Sequence, residues 1–102
     1  MATPTAFALD RYVVETLLPD LVGHDRRASA YLVYLVIAAA SPEGRTAMSH
    51  AQLAERTGLS RRSVQGAVTL LGRRGLIEIT RRGATETSEY RALTPWRRPP
   101  AG

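Results

Sequence analysis

From Ala30 to Ala40 eleven consecutive residues are apolar, with no charge and no breaker among them. A membrane span needs roughly 20 such residues, so the run is a buried element rather than an anchor. Taken alone it fits a buried strand or a helix. Its length, and the finish Ala38-Ala39-Ala40, favour a helix over Ala28 to Ala40. A helix that is apolar almost all round has to be covered on most sides. This one is therefore the central core helix of a 102-residue chain, a length that makes one domain. Tyr31 and Tyr34 are expected to keep their hydroxyls at its edge, where water or a partner satisfies them.

The remaining elements follow from local signals. Leu9, Val13 and Leu17 recur at helical spacing, which predicts a helix over Leu9 to Leu18 ended by Pro19; an extended stretch at Tyr12 to Val14 competes with it. Asp25 is placed to cap the core helix. Ser41-Pro42-Glu43-Gly44 reads as a loop. Ser49 is a good N-cap with Gln52 three residues on, the pattern of a capping box, and Leu53 and Ala54 face the core. Gly58 ends that short helix, and Ser60 caps the next. There Val64, Ala67, Val68 and Leu71 form one apolar stripe. Gly75 sits where a C-cap glycine belongs. Leu76, Ile77 and Ile79 open a strand, and Tyr90, Ala92 and Leu93 form its return. The intervening Arg81-Arg82-Gly83-Ala84-Thr85 gives a hairpin a basic, polar tip.

Charge narrows the class. The chain carries a net +5 with a pI near 10.7, and every basic residue is an arginine. Residues 1–48 hold four arginines against five carboxylates, a net of −1; residues 49–102 hold ten against four, a net of +6. A one-sided basic field favours a polyanion such as DNA, although arginine-rich coding produces the same composition. With no cysteine, disulfides and thiolate metal sites are excluded, and a reducing cytoplasm is the expected compartment. The start, MATPTAFALDRY, has no basic region followed by an apolar run, so it is not read as a secretory signal. His24 and His50 lack metal-ligand spacing, and the sequence holds no phosphate-binding glycine loop, nucleophile–base pair or catalytic carboxylate pair. No cofactor, no metal and no enzymatic activity are expected.

The segment AQLAERTGLSRRSVQGAVTLLGRRGLI, Ala51 to Ile77, resembles a bacterial winged helix-turn-helix domain, like those of MarR-like and GntR-like regulators and of plasmid or phage replication initiators. The resemblance rests on Leu53-Ala54, on Gly58-Leu59-Ser60 at the turn, on Val64, Val68 and Leu71, and on Gly75-Leu76-Ile77. It implies a mainly α fold with a β-hairpin wing, a winged helix-turn-helix. It also implies a second helix that enters the major groove of double-stranded DNA and a hairpin that reaches the backbone or minor groove. The expected organisation is a helical N-terminal extension over 1–24, serving as a dimer element, a winged domain over 25–96, and a flexible basic tail over 97–102.

Within that frame the DNA-contacting candidates are Ser60, Arg61, Arg62, Ser63, Gln65, Thr69, Arg81 and Arg82. Arg61 and Arg62 stand in the first turn of the second helix and cannot face its apolar stripe; arginine pairs bidentately with guanine or phosphate. Gln65, one turn on, suits adenine. Ser60 has a sufficient structural role as the cap, and Arg73 and Arg74 have one at the helix C-terminus. Gly66 and Gly72 stand inside the helix, each costing roughly 1 kcal/mol against Ala; Gly66 permits close approach of a phosphate or another helix. Leu70 either extends the core or marks a protein contact. The leading expectation is a homodimeric transcriptional regulator. A replication-initiator DNA-binding part and a winged module for protein interaction are the alternatives.

Overall fold

The computed structural model describes residues 5–41, 44–81 and 87–97. Helix α1, Ala28–Ala40, lies at the centre, with Ala30, Val33, Tyr34 and Ile37 almost wholly buried. Helix α3, Arg61–Arg73, packs on it through Val64, Ala67, Val68 and Leu71, while the shorter α2, His50–Thr57, contributes Leu53. A three-stranded antiparallel sheet closes the core with Met48, Ile77 and Tyr90. Its strands are β1, Thr46–Met48, β2, Ile77–Arg81, and β3, Ser88–Ala92, with β3 in the middle. The register sets Tyr90 opposite Thr46 on one side and Ile79 on the other. Along β2 every second residue shares a face, and cover falls from Ile77, buried, to Ile79 and Arg81, exposed, as the hairpin leaves the body. This is the winged helix-turn-helix arrangement, and the described part of the hairpin sits where its strands were expected. The tip, with Arg82 and Gly83, lies outside the described residues.

Both tyrosine hydroxyls of α1 find backbone partners rather than water. Tyr31 donates to the Val13 carbonyl at 3.0 Å and Tyr34 to the Leu93 carbonyl at 2.9 Å. Burial pushes the Tyr34 hydroxyl up to about 12, so it stays a donor throughout the ordinary pH range.

Two local expectations are corrected, and one strand was not foreseen. First, Pro19 does not end the N-terminal helix. The chain runs on through two wide π-helical segments, Val13–Leu17 and Pro19–His24, and no extended stretch stands at Tyr12 to Val14. The Leu18 N–H donates to the Val13 carbonyl and the Asp25 N–H to the Asp20 carbonyl at 2.8 Å, both five residues back. An α-helix would bring the proline ring against the carbonyl four residues earlier; the wider turn avoids that. As a result Val13, Leu17 and Leu21 line one buried face, while Leu9, expected in it, is exposed. Second, Asp25 does not cap α1. The N-cap is Arg27, with no side-chain cap bond, and the Asp25 carboxylate accepts from Arg74 instead. Strand β1, which follows the loop read at Ser41 to Gly44, had no expectation at all; three residues pairing with β3 some forty positions later leave no local pattern.

The N-terminal segment is thus built into the core. Its start is also tied to the chain's other end: Asp10 accepts from Trp96 Nε1 and Arg97 Nε, each at 2.7 Å, and Tyr12 stacks on Trp96 with centroids 4.6 Å apart. Arg97, expected to begin a loose tail, is held there. Two outcomes follow. Leu21→Ala should cost about 2–5 kcal/mol in urea unfolding, the range for a fully buried leucine; a loss well under 1 kcal/mol would mean that this segment is only draped on the domain. The second concerns acid. Hydrogen bonds from Arg97 and then Trp96 hold the Asp10 carboxyl down at about 2, below its ordinary 3.8. A depressed carboxyl stabilises the fold above the unfolded value and loses that contribution as pH falls through the folded one. The stability gap between the natural chain and Asp10→Asn should therefore be full above about pH 4 and close towards pH 2; a gap that stays constant over this window would contradict the assignment.

Candidate nucleic-acid interface

The turn between α2 and α3 is assembled from side-chain caps. Ser49 Oγ accepts from the Gln52 N–H at 3.1 Å, and Gln52 Oε1 accepts from the Ser49 N–H at 2.9 Å, a complete capping box. Gly58 ends α2 with φ at 78°, a left-handed conformation that glycine adopts without steric cost. Thr57 Oγ1 donates to the Leu53 carbonyl at 2.7 Å and accepts from the Leu59 N–H at 3.2 Å, pinning the turn. Ser60 then caps α3: its Oγ accepts from the Ser63 N–H at 3.1 Å and donates to Ser63 Oγ at 3.0 Å. At the far end Gly75, with φ at 70°, closes a Schellman motif in which the Leu76 N–H donates to the Leu71 carbonyl at 2.9 Å and the Gly75 N–H to the Gly72 carbonyl at 3.2 Å.

With its apolar stripe on α1, α3 presents Arg61, Arg62, Ser63, Gln65 and Thr69 outward, all exposed. Two shallow grooves meet along this face. One lies between the starts of α2 and α3 and is lined by Ser49, His50, Ala51, Arg61, Arg62 and Gln65. The other runs along the middle of α3, where Arg62, Gln65, Thr69 and Arg73 are joined by Arg27 from the start of α1. Arg62 and Gln65 line both and form the ridge between them. Thr69 Oγ1 spends its proton on the Gln65 carbonyl at 3.0 Å, leaving an acceptor facing out. Ser60 is committed to the cap, and Ser63 Oγ is the acceptor in their bond, so its own proton is available. Arg81 stands exposed at the outer end of β2 and lines neither groove; Arg82 lies outside the described residues.

The arginines divide by whether the fold neutralises them. Arg74 binds both Asp20, at 2.6 Å, and Asp25; its guanidinium is held firmly protonated, chiefly by Asp20. Arg45 and Arg91 pair with Glu78, and Arg97 with Asp10. Arg27, Arg61, Arg62, Arg73 and Arg81, by contrast, make no ion pair among the described residues. Arg73 and Arg74 looked equivalent as a helix-end pair, yet one is free and the other locked.

The two glycines inside α3 have structural partners. A Cβ at Gly72 would lie 3.3 Å from Ile79 Cδ1, so glycine there lets the wing strand press onto the helix. A Cβ at Gly66 would lie 3.3 Å from Arg27 Nη1. Leu70 is partly buried against the core, as the first of its two readings had it. Arg27 is the groove-lining residue that the sequence did not place on this face; its one trace there was Gly66, read as permitting close approach of a phosphate or another helix.

Compared with known families, residues 26–95 match the Crp-like helix-turn-helix domain. This supports the winged helix-turn-helix at the level of the domain, not a narrower MarR-like, GntR-like or replication-initiator kinship. No curated protein and no solved structure matches the chain.

Proposed function

The chain belongs to the Crp-like helix-turn-helix domain family, and from that premise we propose that it is a transcriptional regulator that reads double-stranded DNA with α3. Family membership supports DNA as the partner. The observation that carries the finer reading is the exposed face of α3, where Arg61, Arg62, Gln65, Thr69 and Arg73 stand together without an internal counter-ion among the described residues. Thirteen residues span about 20 Å, and the helix fits the major groove, about 12 Å wide. Arg61 and Arg62 then take guanine edges or phosphates, Gln65 an adenine edge, and Ser60 and Ser63 lie at the helix N-terminus, whose dipole and N–H groups favour phosphate. The wing, with Arg81 and its neighbour Arg82, lies on the backbone or in the minor groove.

Fluorescence anisotropy against a duplex selected from random sequence tests this. Arg61→Ala and Arg62→Ala should each weaken binding by roughly 1–3 kcal/mol if they read bases, and the affinity of the natural chain should fall steeply as salt rises. Undiminished affinity in both variants would remove α3 from the interface.

A single reading head of this size favours paired half-sites, hence a homodimer. We place the dimer contact in the N-terminal segment of residues 1–24. Its inner face is occupied by the core, but Phe7, Leu9 and Val14 remain substantially exposed. Sedimentation should show a dimer that Val14→Glu dissociates; a monomer at all accessible concentrations would exclude it.

A further inference from the structure

Resting on the reading of α3 as the DNA-facing helix, we propose that Arg27 is part of that face, delivering from outside the helix the positive charge that Gly66 leaves out and binding a phosphate of the duplex backbone. Gly66 stands in the middle of the outer surface of α3, between the basic first turn and Arg73. The Arg27 guanidinium fills that place, with Nη1 3.3 Å from where a Cβ on residue 66 would be. Its side chain is exposed and shares one groove with Arg62, Gln65, Thr69 and Arg73.

Two further observations separate this arrangement from a surface arginine that happens to lie there. Asp20 and Asp25 line a pocket with Arg27, and the carboxylates of both bond Arg74. Arg27 itself makes no ion pair among the described residues, so its guanidinium N–H groups are open to an outside anion. The backbone that aims it is also specially shaped. Arg26, the residue before, holds φ at 54°, a left-handed conformation that a non-glycine residue adopts at a cost. The Arg27 N–H then donates to the Leu21 carbonyl at 2.7 Å, and its own carbonyl accepts from the Ala30 N–H at 3.0 Å. The side chain leaves from a fixed base and crosses onto α3. Guanidinium binds phosphate in a two-point fork, and glycine beneath it lets the guanidinium lie close on α3.

The test is the salt dependence of binding by the full chain to a random-sequence duplex. Arg27→Gln keeps a polar stem and removes the charge. One lost phosphate contact lowers the slope of log affinity against log salt by about 0.9, so the affinity ratio of natural chain to variant should shrink about eightfold over a tenfold rise in salt. Arg27→Lys should retain the slope. The double variant Arg27→Gln/Gly66→Arg, with the charge moved into the helix itself, should recover it. A role limited to packing over Leu70 would move the melting temperature and leave all these slopes equal. An unchanged slope in Arg27→Gln, alongside a reduced one in Arg62→Ala, overturns the assignment of Arg27 and leaves α3 in place. No binding by the natural chain at low salt overturns the reading of α3 and this proposal with it.

Discussion

Helix α1 cannot be satisfied by its own surroundings in water, because almost every side of it is apolar. Most of the fold is gathered round it. The N-terminal segment supplies Val13, Leu17 and Leu21, α3 supplies its stripe from Val64 to Leu71, and the sheet supplies Ile77 and Tyr90. Burial of such side chains at about 25 cal/mol per Å² is the main driving term. It also fixes orientation: once the stripe of α3 is spent on α1, its opposite face has to point out. The two tyrosines let the covering segments be registered as well as attracted, since each hydroxyl bonds one particular carbonyl, Val13 on one flank and Leu93 on the other. The exposed face of α3 is therefore a consequence of how α1 is buried.

Charge is arranged on top of that frame. Exposed ion pairs contribute little to stability, with a median near 0–1 kcal/mol, so the pairs at Glu78, Asp10 and Asp20/Asp25 are better understood by what they remove from the field. They neutralise arginines on the sheet, at the chain ends and at the C-terminus of α3. The guanidiniums on α3 and at Arg27 that make no ion pair among the described residues then set the potential over the outer face. The net charge says only that a polyanion is favoured; the pairing pattern is what supports one surface over the others.

The parts legible in the sequence are those whose causes are local. Ser49 with Gln52, Gly58, Ser60 and Gly75 each act within a few residues, and the helices they delimit are where those signals placed them. The stripe on α3 has the helical period and was visible for the same reason. What stayed hidden depended on distant partners. Asp25 has every local qualification for a cap, but Arg74, forty-nine positions on, claims its carboxylate. Strand β1 exists only because β3 is there to pair with it. Pro19 stops an α-helix, and the rule behind that expectation assumes α-helical spacing, which the chain here abandons.

Gly66 and Gly72 show how the same limit bears on the interface. Considered within α3 alone they are defects, each removing a side chain and stability from the helix. In three dimensions each is an address for a neighbour. Gly72 seats Ile79 and so sets how closely the wing approaches the helix; Gly66 seats Arg27 and so decides which charge occupies the middle of the outer face. The outer face of α3 is thereby composite, drawing on residues more than thirty positions apart. A substitution at either glycine acts on a residue of another element before it acts on the helix. In this fold, then, each glycine inside α3 points to the packing partner across from it, and the chemistry of that stretch of surface is read from the partner.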